Sequence, residues 1–118
     1  MRLVELVRWQ WDGYHLYHRS RKNLLIHIVA VPLFLLGNVG VVLSFVQWTS
    51  IGLFFSLALM ALSLALQGRG HAIESLPSIP FSGKLNAITR LLLEQWINFP
   101  RFVLTGGWLR AFKQSQLG

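Results

Sequence analysis

Cysteine is missing from all 118 residues. That excludes disulfides, thiolate nucleophiles, cysteine-ligated zinc and iron–sulfur clusters. Negative charge is scarce as well: Asp and Glu number 4 against 11 Lys and Arg, for a net charge of +7. A basic balance points to nucleic acid only when a recognition motif accompanies it. None does here, so no nucleic-acid partner is expected. No Ser-His-acid arrangement and no glycine-rich phosphate loop is present, Gly68-Arg69-Gly70 being too short for one. The most informative absence is charge of either sign between Lys22 and Arg69. That gap is about twice what one helix needs to cross a bilayer. At 53% hydrophobic and 13% charged, the chain has about half the charge of an ordinary soluble domain. A soluble domain this small cannot cover so much apolar surface.

What is present reads as an all-α, small integral membrane helical bundle, a single domain over residues 1–118. Residues 2–19 predict an N-terminal amphipathic helix, because Leu3, Val7, Trp11, Tyr14 and His18 recur at helical spacing. Its Trp and Tyr residues suit the headgroup layer. Arg2, Glu5, Arg8 and Asp12 fall where a secretory signal would be apolar, so the first hydrophobic span is expected to stay in the protein. Asn23 is a plausible N-cap for that span, residues 24–46, which Pro32 should kink. Gln47-Trp48-Thr49-Ser50 is short and polar, so residues 51–67 should return antiparallel as a transmembrane hairpin. Gly68-Arg69-Gly70 is expected to end the second span, and Pro77, Pro80 and Gly83 mark an irregular connection. Residues 84–113 should form C-terminal helices that are interfacial, re-entrant or further spanning. Basic residues flank the spans and avoid the 47–50 turn. The positive-inside rule then places both termini in the cytoplasm, with a bacterial inner membrane as the expected location.

The chain has 4 histidines, His15, His18, His27 and His71. In an antiparallel pair, His27 near the start of the first span meets His71 at the end of the second. His15 and His18 precede the first span and can fold back to the same membrane face. Glu74 follows His71 by three residues and would share its face on a helical turn. Asn23 lies four residues before His27, where it can also orient that ring. An ionisable residue in a span, such as His27, marks a functional site by default. Neutral imidazoles with a carboxylate and no thiolate suit Fe(II), Zn(II) or Mn(II). Histidines and one carboxylate with open positions are what non-haem Fe(II) oxygenases use. Two other readings stay open: a bis-histidine haem between His27 and His71, and a non-catalytic lipid-binding or assembly protein whose histidines only hydrogen-bond.

Written out, the motifs are Tyr14-x3-His18-x4-Asn23-x3-His27-x4-Pro32 and Gly70-His71-x2-Glu74, with Pro77 following. This pattern resembles the Mpo-like family of small membrane proteins, whose characterised activity is iron-dependent dioxygenation of 2-hydroxy fatty acids. The resemblance covers most of the chain from about Tyr14 onward. It implies Fe(2+) as cofactor, and a long-chain 2-hydroxy fatty acid and O2 as partners at the lipid bilayer. It implies His18, His27 and His71 as the iron-binding histidines, with Glu74 as the accompanying carboxylate. His15 falls outside the motif and is held in reserve, while Asn23 and Tyr14 would support the ligands from behind. Arg19, Arg21, Lys22 and Arg69 lie at the same face and can attract the substrate carboxylate, although positive-inside flanks need no substrate to explain them.

Overall fold

The N-terminal segment does not run as one helix to residue 19. In the computed structural model, which describes residues 2–115, α1 covers Leu3–Gly13 and tightens into a 3-10 turn at Tyr14–Leu16. Met1 and residues 116–118 of the expected domain lie outside the described residues. The break at Gly13 re-aims the chain, so Tyr14 and His18 turn inward while Leu3 stays exposed. The expected stripe is therefore split: its second half is interior, and its first half is surface.

Helix α2 runs from Arg21 to Gln47 and continues through Pro32. It begins earlier than expected because Ser20, not Asn23, is its N-cap, accepting from the Asn23 backbone N–H. The Glu74 carboxylate reinforces that end by accepting from the backbone N–H groups of Arg19 and Ser20 at 3.0–3.2 Å. A negative group at a helix N-terminus meets unsatisfied N–H donors and the positive end of the dipole. Trp48, at φ 55° and ψ 44°, closes α2, and the Thr49 hydroxyl caps α3, accepting from the Gly52 N–H at 3.0 Å.

Helix α3, Ser50–Ile73, passes straight through Gly68 and Gly70 instead of ending there. Packing against α2 outweighs the low helix propensity of glycine. Gly70 lies against the Asn23 side chain, Ser63 Oγ donates to the Ala30 carbonyl, and Gly37 faces Met60 and Ser56. Gly40 meets Ser56, and Gly52 meets Ser44, near the turn. These pairings run α2 and α3 antiparallel, with small residues letting the backbones approach.

Both helices are long and apolar enough to cross a membrane, with mean hydropathies of 2.3 and 1.9. Only 28% and 17% of their most apolar windows are buried within the protein. A core helix of a soluble protein would be buried over most of that length. Large apolar side chains such as Leu36, Val42, Phe45, Phe54 and Leu62 instead face outward. The interior holds His27, Asn23, Gln95, Asn98 and Ser63, all fully buried. An apolar exterior around a polar interior inverts the soluble pattern and fits lipid as the solvent.

After an irregular stretch, α4 (Lys84–Leu93), a π-helical turn (Glu94–Asn98) and α5 (Phe99–Leu104) form one continuous rod, followed by α6 (Gly107–Gln114). Among the described residues, only α2 and α3 have the length and composition of spans. The rod carries Lys84, Arg90, Glu94 and Arg101. It is tied to α1 by Asn98 and Gln10 at 2.9 Å, to α2 by Trp96 and Asn38 at 3.0 Å, and to α3 by Gln95 and Gln67 at 2.8 Å. Tyr14, Leu24, Val31, Phe99 and Phe102 form the apolar core at this end.

Candidate metal centre

His18, His27, His71 and Glu94 come from four different segments, and each offers one donor atom lying within 4.8 Å of the others. His18 follows the 3-10 turn, and its Nδ1 meets the Tyr14 carbonyl at 2.8 Å. His27, on the first turns of α2, meets the Asn23 carbonyl through Nδ1 at 3.1 Å. A carbonyl only accepts, so both Nδ1 atoms carry the hydrogen and donate it. Both Nε2 atoms are then unprotonated acceptors, and each is buried without a hydrogen-bond partner. His71, on the last turn of α3, likewise has a buried Nδ1 without a partner. The three ring centroids lie 4.8–4.9 Å apart with each pair steeply tilted. Leaving such nitrogens unpaired in a protein interior is costly. Backbone carbonyls fixing the tautomer while the other nitrogen faces a common centre is the arrangement of metal-binding histidines.

The carboxylate in this group is Glu94, not Glu74. Glu94 follows α4 at the start of the π turn, where the Phe99 N–H bonds back to the Glu94 carbonyl. Pro100 explains that turn. It has no N–H for the Trp96 carbonyl, and its ring clashes with that carbonyl in a regular helix. Widening the helix relieves the clash, and such single π turns recur at functional sites. The turn carries Glu94, Gln95 and Asn98 to the interior side of the rod. Glu94 Oε2 lies 3.4 Å from His18 Nε2 and accepts from the Tyr14 hydroxyl at 3.2 Å. Burial works to raise the Glu94 carboxyl, but the hydrogen and charge that a protonated His18 ring puts on Nε2 beside it, with smaller contributions from His27 and His71, more than offset this and hold it at about 2. Tyr14 is pushed well above its usual range, chiefly by burial and then by the Glu94 charge, so it remains a donor. Its ring also stacks on His18, with centroids 3.9 Å apart.

Glu74 stands outside the group because α3 ends at Ile73. The backbone of Glu74 is extended (φ −64°, ψ 144°), which removes it from the helical face it was expected to share with His71. Its carboxylate goes to the start of α2 and accepts from Asn23 Nδ2 at 2.7 Å. Asn23 therefore acts on His27 through its main-chain carbonyl, while its side chain clasps Glu74. His15 is exposed and not in the cluster. Arg19, Lys22 and Arg69 are exposed, and Arg21 is engaged with Ser115 and the Phe112 ring. A porphyrin between His27 and His71 finds no slot, since their rings lie 4.8 Å apart at 87° and His18 closes the third side.

Glu94 has no sequence spacing that ties it to any of the histidines, so the motifs alone do not point to it. Two signals pointed to it: Asp and Glu number only 4, and Pro100 sits one and a half turns later. The result is a buried set of three imidazoles and one carboxylate able to coordinate a divalent cation such as Fe2+. This donor chemistry fits, since no soft thiolate is involved and four donors leave positions open on a six-coordinate metal. The chain matches no family model, no curated protein and no solved structure.

Proposed function

We propose that this protein is a membrane-embedded, Fe(II)-dependent dioxygenase that shortens 2-hydroxy fatty acids by one carbon, as its resemblance to the Mpo-like family implies. The observation that carries the reading is the set of buried, partnerless nitrogens on His18, His27 and His71, gathered with the Glu94 carboxylate at the end of two apolar helices. Bound Fe(II) supplies the one-electron chemistry that lets O2 react with an organic acid.

The overall reaction balances without another reductant. RCH(OH)COOH and O2 give RCOOH, CO2 and H2O, the C1–C2 bond breaks, and the hydroxy acid supplies every electron that O2 takes up. The protein's own part is to hold and to shield. His18 and His27 are locked in one tautomer by backbone carbonyls. Tyr14 keeps its proton and donates a hydrogen bond to Glu94, steadying the carboxylate that would offset the charge of a bound metal. Phe99 and Phe102 pack on the histidine rings and exclude water from that side. A 2-hydroxy acid offers two oxygens for chelation, which a plain fatty acid lacks, so the latter should react poorly. In this reading the site lies at the depth of a lipid headgroup, which its position at the end of two uncharged helices supports, and both termini are cytoplasmic, which the distribution of basic residues supports.

The test is to incubate iron-loaded protein in detergent with 2-hydroxypalmitate and O2. The expected product is the fifteen-carbon acid with one CO2 per O2 consumed. Bound iron with no shortened acid across a range of chain lengths would remove this substrate assignment.

A further inference from the structure

A groove of about 730 Å³ opens beside the histidine cluster. His18, His71 and Glu94 form part of its wall, so a molecule lying in it reaches the cluster. The rest of the wall is mostly apolar, with Leu64, Leu91, Ile79 and Phe81 among its residues beside the polar Gln10, Asp12 and Arg90. Leu64 lies about 10 Å deeper along α3 than His71, toward the middle of the span. The segment around Ile79–Phe81 covers part of the groove, and Arg90 holds it there. Its guanidinium donates to the Pro80 and Ile79 carbonyls at 3.2 and 2.9 Å. It also sits 4.5 Å from the Phe81 ring centroid and 5.1 Å from that of Trp9.

Gly68 is the unusual position in this wall. Gly37, Gly40 and Gly70 each have a neighbouring side chain where a Cβ would go, so packing explains them. A Cβ at Gly68 meets nothing within 4 Å. Glycine is among the poorest helix formers, so no local preference explains it either. What the missing side chain leaves open is space along the groove, one helical turn from His71.

We propose that this groove takes the acyl chain of a single-chain carboxylate, headgroup toward His71 and Glu94, and that Gly68 sets the width open to the chain. The inference rests on the fatty-acid reading above and adds the path by which the chain lies. The groove reaches the donor cluster, is otherwise largely apolar and is bordered by a strapped segment, all of which suit one chain with a polar end. The two chains of a phospholipid are a poorer match to a groove partly roofed in this way.

The probe is a fatty acid carrying a diazirine at mid-chain, photolysed with metal-loaded protein in detergent micelles and mapped by peptide mass spectrometry. A diazirine-labelled phosphatidylcholine serves as the second arm, with wild type, Gly68→Ala and Gly68→Phe compared in both. Fatty-acid adducts are expected on Leu64, Leu91 or Phe81, and should fall about tenfold in Gly68→Phe, equivalent to a tenfold loss of occupancy. Metal content should be unchanged in all three proteins. Phosphatidylcholine should label outward residues such as Val42 and Phe54 alike in each. Fatty-acid adducts confined to the outer faces, equal groove labelling in Gly68→Phe, or groove labelling by phosphatidylcholine overturns the proposal. Should Gly68→Phe fail to fold, the wild-type and Gly68→Ala maps decide by the location of their adducts. Groove labelling without any shortened acid would remove the dioxygenase reading and leave the groove. Undiminished chain shortening by Gly68→Phe would do the reverse.

Discussion

The two ends of the α2–α3 pair are built by opposite rules. Toward the Trp48 turn, the helices touch through Gly37, Gly40, Gly52, Ser44 and Ser56, and their outer faces are apolar. The two serine hydroxyls in that interface are absorbed locally: Ser44 and Ser56 donate to the carbonyls four residues back, at 2.7 Å each. At the other end the 3-10 turn and the π turn pack beside the two helices, and the interior there is imidazole, amide and carboxylate. Some of those polar atoms have no hydrogen-bond partner, His18 Nε2 and His27 Nε2 among them. The far end is satisfied and serves to hold the helices together. The near end is left unsatisfied at a common centre, which in a protein interior is a mark of function.

Four substitutions sharpen or break that contrast. The largest effect is expected from His27→Ala, which removes a fully buried donor. Metal affinity should fall by more than the roughly 10–100-fold typical of losing an outer-shell partner, as read by metal analysis after dialysis. Retention of stoichiometric metal would dissolve the distinction between the two ends.

Gly37→Leu tests the far end. A Cβ there comes within 2.6 Å of Met60 Cγ and 2.9 Å of the Ser56 carbonyl oxygen. Overpacking should cost about 1–3 kcal/mol, seen as a lower thermal midpoint in detergent. Metal stoichiometry in the folded protein should not change. A loss of metal with unchanged stability would mean the two ends are not independent.

Glu74→Gln is expected to act more mildly. It keeps an acceptor for the start of α2 but removes the negative charge, costing about 1 kcal/mol. Metal affinity should drop by about 10-fold or less, through the helix start that carries His27. A loss as large as that of His27→Ala would make Glu74 a ligand, against its present partners. His15→Ala should change least. With an exposed ring, stability should stay within about 0.5 kcal/mol and metal content should be equal to wild type by the same assay.

Much of the near end was legible in the sequence because its parts obey local rules. The uncharged stretch from 23 to 68 predicts apolar helices, a short polar turn predicts their antiparallel return, and that return brings the His27 and His71 regions to one end. Helix boundaries were less legible because they were settled by distant partners. The carboxylate that extends α2 back to Arg21 comes from residue 74. Of the two glycines that looked like an end to α3, Gly70 is paid for by contact with Asn23.

Residue types and periodicity by themselves determined the helical class, the two membrane-length segments, the absence of thiolate chemistry and the histidines as the candidate donors. Which carboxylate faces those histidines was decided only in three dimensions. Glu74 and Glu94 are chemically the same group, and spacing favoured Glu74 because it lies three residues from His71. Spacing assigns faces only while a helix continues, and α3 stops at Ile73. Glu94 reaches the cluster because Pro100 widens one helical turn and the rod crosses α1, α2 and α3, a conjunction of distant contacts that no local pattern encodes.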